Sequence, residues 1–304
     1  MSAGTSRLSR TRTVVLWGLL IVWFSEMTIT SVQPLSEWWT QAWKMGLPED
    51  SQLATALYLT HSLEGAAKGA LGVMAMFALR SGSPFVRAAL FVPMALVPPL
   101  NVAFPIREQG FLPRPTMIAS ILSIILWGSF LLFREGTNSS PPTMDGPRKR
   151  SPSLGDFWFA ANAMILTLAA GMFFFAPTAA LRLTLACLSV VLDKPAGSTT
   201  ALMLTALAVG SHLTAVATAT WIATLYERRD SRVRMAVALG NTLNAALLCL
   251  VPLRHLTTEA GRDCTSSSIL IYAVPLLAGW LIYDALSYHE TLTRRPRLAN
   301  ATNH

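Results

Sequence analysis

The chain has 304 residues, of which 52% are hydrophobic and only 13% are charged. Charged residues make up ~25% of an average soluble domain, so this composition excludes a water-soluble enzyme and indicates a protein embedded in lipid. The net charge of +8 lies in short basic clusters between apolar segments and builds no continuous basic surface. We therefore expect the lipid bilayer as a partner and do not expect nucleic acid.

Eight segments are long and apolar enough to cross a hydrocarbon core of ~30 Å as helices. The sequence thus predicts an all-α fold, a polytopic membrane helix bundle of about eight transmembrane helices. Pro93, Pro98, Pro99 and Pro105 are predicted to break the third span repeatedly and to kink it. The apolar stretch of the fifth continues to Leu192, and this extra part is too short to span. In chain order the predicted spans are 14–32, 53–79, 85–104, 116–133, 157–181, 199–226, 233–251 and 269–288.

Lysine and arginine residues predict the side of the membrane on which each loop lies. When the eight spans alternate, 16 basic residues lie on the side of the N-terminus and 7 on the opposite side, while Lys68 lies within the second span. Cytosolic loops carry the basic excess, so both termini are predicted to be cytosolic. The plasma membrane or the endoplasmic reticulum is the expected location of this multi-pass protein, and its oligomeric state stays open.

A polar segment rich in Ser, Pro and Gly, residues 135–156, divides the spans into two groups of four. It is predicted to be a flexible cytosolic linker. The first four-helix half would then be residues 1–134, and the second half, with its cytosolic tail, residues 157–304.

Two short matches connect the two halves, and one of them is Pro105-Ile-Arg107 after the third span with Pro252-Leu-Arg254 after the seventh. Thr60-His61 in the second span resembles Ser211-His212 in the sixth. A parallel duplication is one hypothesis that the two matches support.

Ionisable side chains inside the spans carry most of the functional information, because each costs several kcal/mol in lipid unless it faces a cavity, water or a partner. The helical rise places the deepest of them within reach of a central cavity. The candidate catalytic residues are Glu64, Asp284 and Glu26, and the candidate polar residues for substrate binding are His61, Asn101, Asn162, His212, Asn241 and Asn244.

His61, Glu64 and Lys68 have the i, i+3, i+7 spacing that places them on one face of the second span. Small residues such as Gly65 surround them, so neighbouring helices can approach closely. One interpretation is a structural ion pair between Glu64 and Lys68 with a histidine one turn away. The other is an acid held over a functional pocket, which the cost of such a trio in lipid favours.

The remaining polar candidates have structural alternatives as well. For Asp284 the alternative is a position at the membrane interface, and for Asn241 and Asn244 it is hydrogen bonding between helices. His61 and His212 are predicted at depths that differ by ~8 Å, which disfavours a haem between them.

Three cysteines, Cys187, Cys249 and Cys264, lack the paired spacing of a thiolate metal site and are too few for a disulfide scaffold, so we expect no structural role for them. The sequence contains no hydrolase, nucleotide-binding or dinucleotide-binding motif, and no DxxxD spacing of magnesium-dependent prenyltransferases. Neither a metal nor another cofactor is expected.

An apolar cavity that holds isolated carboxylic acids and aromatic side chains suits the acid-initiated cyclisation of a prenyl chain or prenyl epoxide. Protonation of an alkene or epoxide needs a neutral acid, which burial favours, and aromatic faces stabilise the cation that follows. With Glu64 in an early span and Asp284 in the last, this all-helical chain resembles the integral-membrane terpene cyclases of fungal meroterpenoid and bacterial indole-terpenoid pathways.

The resemblance implies that the protein cyclises a lipophilic prenylated small molecule. Glu64 would be the general acid, and Asp284 would be a second acid or would take up the final proton. Aromatic residues are candidates for shaping the pocket around the substrate: Trp23, Trp127, Trp158, Trp221, Trp280 and Tyr283.

Two other functions stay open on the sequence. One is a proton-coupled transporter, with Glu26, Glu64 and Asp284 as protonation sites and the two halves moving around them. The other is a non-catalytic membrane scaffold in which the acids only hold helices together.

Overall fold

The structure is a computed structural model that describes residues 51–81, 84–109, 154–193, 196–225, 231–257 and 259–301, together with Val14, Trp17 and Gly18. In this part of the chain the regular elements are helices. They are α1 (Ser51–Arg80), α2 (Pro84–Ala95), α3 (Val97–Gln109), α4 (Leu154–Phe175), α5 (Pro177–Thr184), α6 (Leu188–Leu192), α7 (Ala196–Leu225), α8 (Ser231–His255), α9 (Glu259–Cys264) and α10 (Ser267–Ala301).

Six helical segments of the described chain are long and apolar enough to cross a membrane, which confirms an all-helical fold compatible with a multi-pass membrane protein. They coincide with six of the eight predicted spans. The other two, 14–32 and 116–133, lie outside the described residues apart from the three named above. The six segments are Gln52–Arg80, Val86–Ala103, Leu154–Phe175, Thr199–Leu225, Arg232–His255 and Ser267–Leu286.

Helix α1 is the central element of the described bundle. It packs against α2, α7 and α8, and 78% of its apolar window is buried. Helix α7 also packs against α4, and α8 packs against α10. The window of α10 is only 11% buried, so this helix lies at the periphery of the described bundle.

Helices α2 and α3 together form one predicted span, which is interrupted at Leu96. Pro98 and Pro99 have no backbone N–H and cannot donate to carbonyls of the preceding turn. Across the break, the N–H of Leu100 donates to Leu96 O at 3.3 Å. The predicted break is therefore found beside Pro98 and Pro99, whereas Pro93 and Pro105 lie within α2 and α3.

The fifth predicted span, 157–181, extends too far at its C-terminal end. Helix α4 ends at Phe175, and Pro177 begins α5 as a separate helix of eight residues. Proline fits the first turn of a helix because its missing N–H has no partner there. The apolar continuation to Leu192 forms the short helices α5 and α6, neither of which is long enough to span.

The expectation that the cysteines have no structural role was wrong for two of them. Cys187 and Cys264 form a disulfide bond across 77 residues of chain, and Cys249 is a buried free thiol. Beside the bond, the N–H of Ala186 donates to Cys264 O at 2.8 Å. The loop that follows α5 is thereby fixed to the C-terminal end of α9.

Candidate functional site

Glu64 lies near the middle of the 30-residue helix α1, about 20 Å from its first residue at ~1.5 Å per residue. Every residue from 61 to 70 is buried, and Glu64 itself is 6% exposed. Small neighbours such as Gly65 and Ala67 allow α7 and α8 to pack closely around it. A carboxyl group at this depth needs partners from the protein.

The partners are basic side chains, and together with Glu64 they form what we name the Glu64 cluster: Glu64, His61, Lys68 and His212. Lys68 Nζ lies 2.9 Å from Glu64 Oε1, and His61 Nδ1 lies 2.9 Å from Glu64 Oε2. His212 Nδ1 lies 3.6 Å from Glu64 Oε1. The structure thus brings the three α1 residues together, as their spacing predicts, and adds His212 from α7.

His212 is oriented by the backbone of its own helix. Its Nδ1 lies 2.8 Å from Ala208 O, and since a carbonyl oxygen only accepts, Nδ1 carries a hydrogen. His61 and His212 were predicted at different depths, but both approach the carboxylate of Glu64. The side chain of Glu64 reaches both histidines. The predicted difference in depth came from the helical rise alone and took no account of side-chain length.

The charges within the Glu64 cluster balance. An ionised Glu64 carboxylate and a cationic Lys68 compensate each other, which is what a low-dielectric interior requires of buried charges. Among the described residues, no group of three or more His, Cys, Asp and Glu is arranged to hold a metal ion.

A second group of polar residues lies on α8. Asn241 is 2% exposed, and its Nδ2 donates to Thr220 Oγ1 on α7 at 3.1 Å. Asn244 is 1% exposed, and its Oδ1 has no hydrogen-bond partner in the described part of the chain. Asn241 therefore joins two helices, whereas Asn244 presents an unused acceptor inside the bundle.

Asp284 on α10 is half-buried and contacts α8. Thr242 Oγ1 lies 2.8 Å from Asp284 Oδ2 and 3.0 Å from Ala238 O. A hydroxyl group has one hydrogen and a carbonyl oxygen only accepts. Both contacts are therefore hydrogen bonds at the same time only when Asp284 is protonated and donates to Thr242.

Four aromatic residues from α4 and α10 form a cluster beside Asp284, which we name the aromatic cluster: Trp158, Phe159, Trp280 and Tyr283. The ring centroids of Phe159 lie 5.1 Å from those of both Trp280 and Tyr283, in edge-to-face geometry. Trp158 contacts Trp280 with centroids 5.8 Å apart. Phe159 and Trp280 are almost fully buried.

Arg234 on α8 completes this region. Its guanidinium carbon lies 4.6 Å from the centroid of Phe159, and its Nη2 donates to Asp156 Oδ1 on α4. The sequence places Arg234 among the loop charges, but the residue is only 7% exposed. The ion pair and the ring contact together connect α4 to α8.

The remaining candidates are not part of the Glu64 cluster, or they lie outside the described residues. Asn162 is buried on α4, where its amide donates to Trp158 O at 2.8 Å, and Asn101 is partly exposed on α3. Trp221 Nε1 donates to Thr167 Oγ1. Glu26, Trp23 and Trp127 lie outside the described part of the chain.

Sequence reasoning missed several residues of these clusters. Thr242 and Phe159 carry no distinctive spacing, because threonine and phenylalanine are common in membrane helices. Asp156 was placed in the linker, so its contact with Arg234 had no signal either. Only the three-dimensional packing of α4, α8 and α10 brings these residues together.

Comparison with known proteins adds no relationship to this geometry. The chain matches no protein-family model, no curated protein and no solved structure.

Proposed function

We propose that the protein is a proton-coupled membrane transporter of a small molecule in which Glu64 binds the coupled proton. The observation that carries this proposal is the convergence of basic groups on one buried carboxylate from two long helices, α1 and α7. A purely structural pair needs only Lys68, which lies on the same helix as Glu64. Two histidines beside the pair add ring nitrogens that donate or accept a hydrogen bond according to their tautomer.

The hypothesis of a duplicated chain supports the same function. His61 and His212 are the matching residues of the two predicted halves, and both approach Glu64. The preceding residues, Thr60 and Ser211, are both hydroxyl side chains, and like other Ser and Thr residues of these helices each donates to the carbonyl four residues earlier, at 2.8 and 3.1 Å. Transporters built from repeats place their binding sites at the repeat interface near the bilayer midplane.

We further propose that both termini are cytosolic. The disulfide Cys187–Cys264 lies at one end of the bundle, and the first residues of α4 and α8 lie at the other end. Disulfides persist in oxidising compartments, so the end with the disulfide belongs on the extracytosolic side. The excess of basic residues on the side of the N-terminus favours the same orientation.

Proteoliposomes loaded with a pH-sensitive dye test the transport function. A sugar, an amine and a carboxylate are added outside in turn, and luminal pH is followed. Wild-type protein should move protons with one of these solute classes, and Glu64→Gln should not. Asp263→Asn makes the same chemical change at an exposed carboxylate of α9 and should behave as wild type. Normal proton movement with Glu64→Gln would contradict the proposal.

A second candidate function is the terpene cyclase that the sequence resembles, and Asp284 is the observation that favours it. Its contact with Thr242 accommodates a protonated carboxyl group, the form that an acid initiator needs. Two members of the aromatic cluster, Trp280 and Tyr283, lie on the same helix as Asp284, and ring faces stabilise cations. In this case a prenylated lipophilic molecule is the substrate.

A further inference from the structure

The alignment of α1 and α8 locates the unused acceptor of Asn244. A Cβ atom on Gly240 would lie 2.9 Å from Ala70 O, so the two backbones touch at this level. Towards the C-terminal end of α8, Val251 lines a small cavity with Leu59 and Leu63 of α1. The numbering rises along α8 as it falls along α1, so the two helices run antiparallel.

Asn244 lies one helical turn after Gly240 on the same face of α8. The antiparallel alignment places it opposite Ala66 of α1, midway between the levels of Glu64 and Lys68. Its neighbour Asn241 reaches Thr220 of α7, so this polar face lies where α1, α7 and α8 meet. An acceptor oxygen that is buried without a donor costs ~1–3 kcal/mol, which a bound donor group recovers.

We propose that this junction binds a small carboxylate that carries a hydroxyl group, with the carboxylate on Lys68 and the hydroxyl donating to Asn244. This inference rests on the proposed transport function and names its substrate class. Lys68 is a cation already in contact with an anion, Glu64, at 2.9 Å. A substrate carboxylate takes the place of Glu64 on the ammonium group.

The charge balance of the cluster fixes the stoichiometry. When the substrate carboxylate binds Lys68, Glu64 loses its ion pair with the ammonium group and is protonated from bulk water. The buried net charge therefore stays at zero. A buried uncompensated anion would cost several kcal/mol, which makes the proton and the carboxylate bind together. Each cycle then moves one proton with one monocarboxylate and no net charge.

Radiolabelled lactate and propionate test the inference in proteoliposomes with an inward proton gradient. Propionate has the same carboxylate and lacks the hydroxyl group. Wild-type protein should take up lactate about tenfold faster than propionate, because each lost buried hydrogen bond is worth ~1.4 kcal/mol. A potassium diffusion potential should leave the initial rate of lactate uptake unchanged. Equal uptake of both solutes, or a rate that follows the potential, would overturn the inference.

Variants separate the role of Asn244 from general damage to the bundle. Asn244→Ala should reduce lactate uptake to the propionate level, whereas Asn162→Ala removes an equally buried asparagine that bonds within its own helix and should keep the preference. Retained preference in a folded Asn244→Ala protein would contradict the site. If protons move with a sugar or an amine but not with lactate, the proposed substrate class is wrong and the proposed transport function is retained.

Discussion

His61 and His212 lie on different helices and approach the same carboxylate, that of Glu64, at 2.9 and 3.6 Å. His61 belongs to α1 together with Glu64, so its distance depends on side-chain rotation within one helix. His212 belongs to α7, so its distance depends on how α7 sits against α1. A relative movement of these two helices therefore changes the electrostatic surroundings of Glu64, which is the coupling that a proton-driven conformational cycle needs.

Glu64→Gln should destabilise the protein, and a second substitution should reverse that effect. Removing one partner of a buried pair leaves the other charge uncompensated and costs ~3–5 kcal/mol. Glu64→Gln should therefore lower the thermal unfolding midpoint, and Glu64→Gln with Lys68→Met should restore it without restoring proton movement. A double variant that moves protons normally would make the pair purely structural.

The orientation of the bundle can be measured at two exposed positions. Leu154 and Thr257 lie at opposite ends of the described bundle. Leu154 is the first residue of α4, and Thr257 follows the last residue of α8 by two positions. Leu154→Cys and Thr257→Cys, each combined with Cys249→Ser, should react with a membrane-impermeant thiol reagent from the cytosolic and the extracytosolic side respectively. Reaction of both positions from one side would contradict the alternation of spans.

Asp284→Asn distinguishes a cyclase from a transporter. In a cyclase the carboxyl group gives or takes a proton, so the substitution should lower product formation by the ~10² to 10⁴ typical of a lost general acid or base. In a transporter that couples through Glu64 it should leave proton coupling intact and the solute chemically unchanged. Mass analysis of prenylated phenols and prenyl epoxides recovered from wild-type membranes decides: an isomer of unchanged mass and altered retention supports cyclisation, and unchanged substrate opposes it.

Gly279→Ala should weaken the aromatic cluster. A Cβ atom at this position would lie 2.2 Å from Trp158 Cη2, so the Trp158 ring must move and lose its contact with Trp280. Overpacking of this kind costs ~1–3 kcal/mol. Gly171→Ala is the matched control, because a Cβ there meets no atom within 4 Å. The midpoint temperature of thermal unfolding should fall for Gly279→Ala only. Equal midpoints for the two variants would show that the Trp158 ring moves aside without cost.

The sequence predicted those features that follow from apolar length and helical spacing. It located six helices that the structure describes, and the i, i+3, i+7 spacing brought His61, Glu64 and Lys68 to one face. It did not reveal the pairing of Cys187 with Cys264, because the spacing of two cysteines says nothing about which loops meet. Arg234 was misplaced for a related reason: a basic residue at the start of a helix is usually solvated, and only packing shows that a ring covers it.

The disulfide also makes part of the chain a closed ring. The segment between Cys187 and Cys264 contains the whole of α7 and α8, and with them His212 and Asn244. A single proteolytic cut anywhere in this ring leaves the two pieces covalently joined. Nicked protein should thus migrate as one species in a denaturing gel until reductant is added, and a cut at Arg228 or Arg229 will not by itself release α8 from α4.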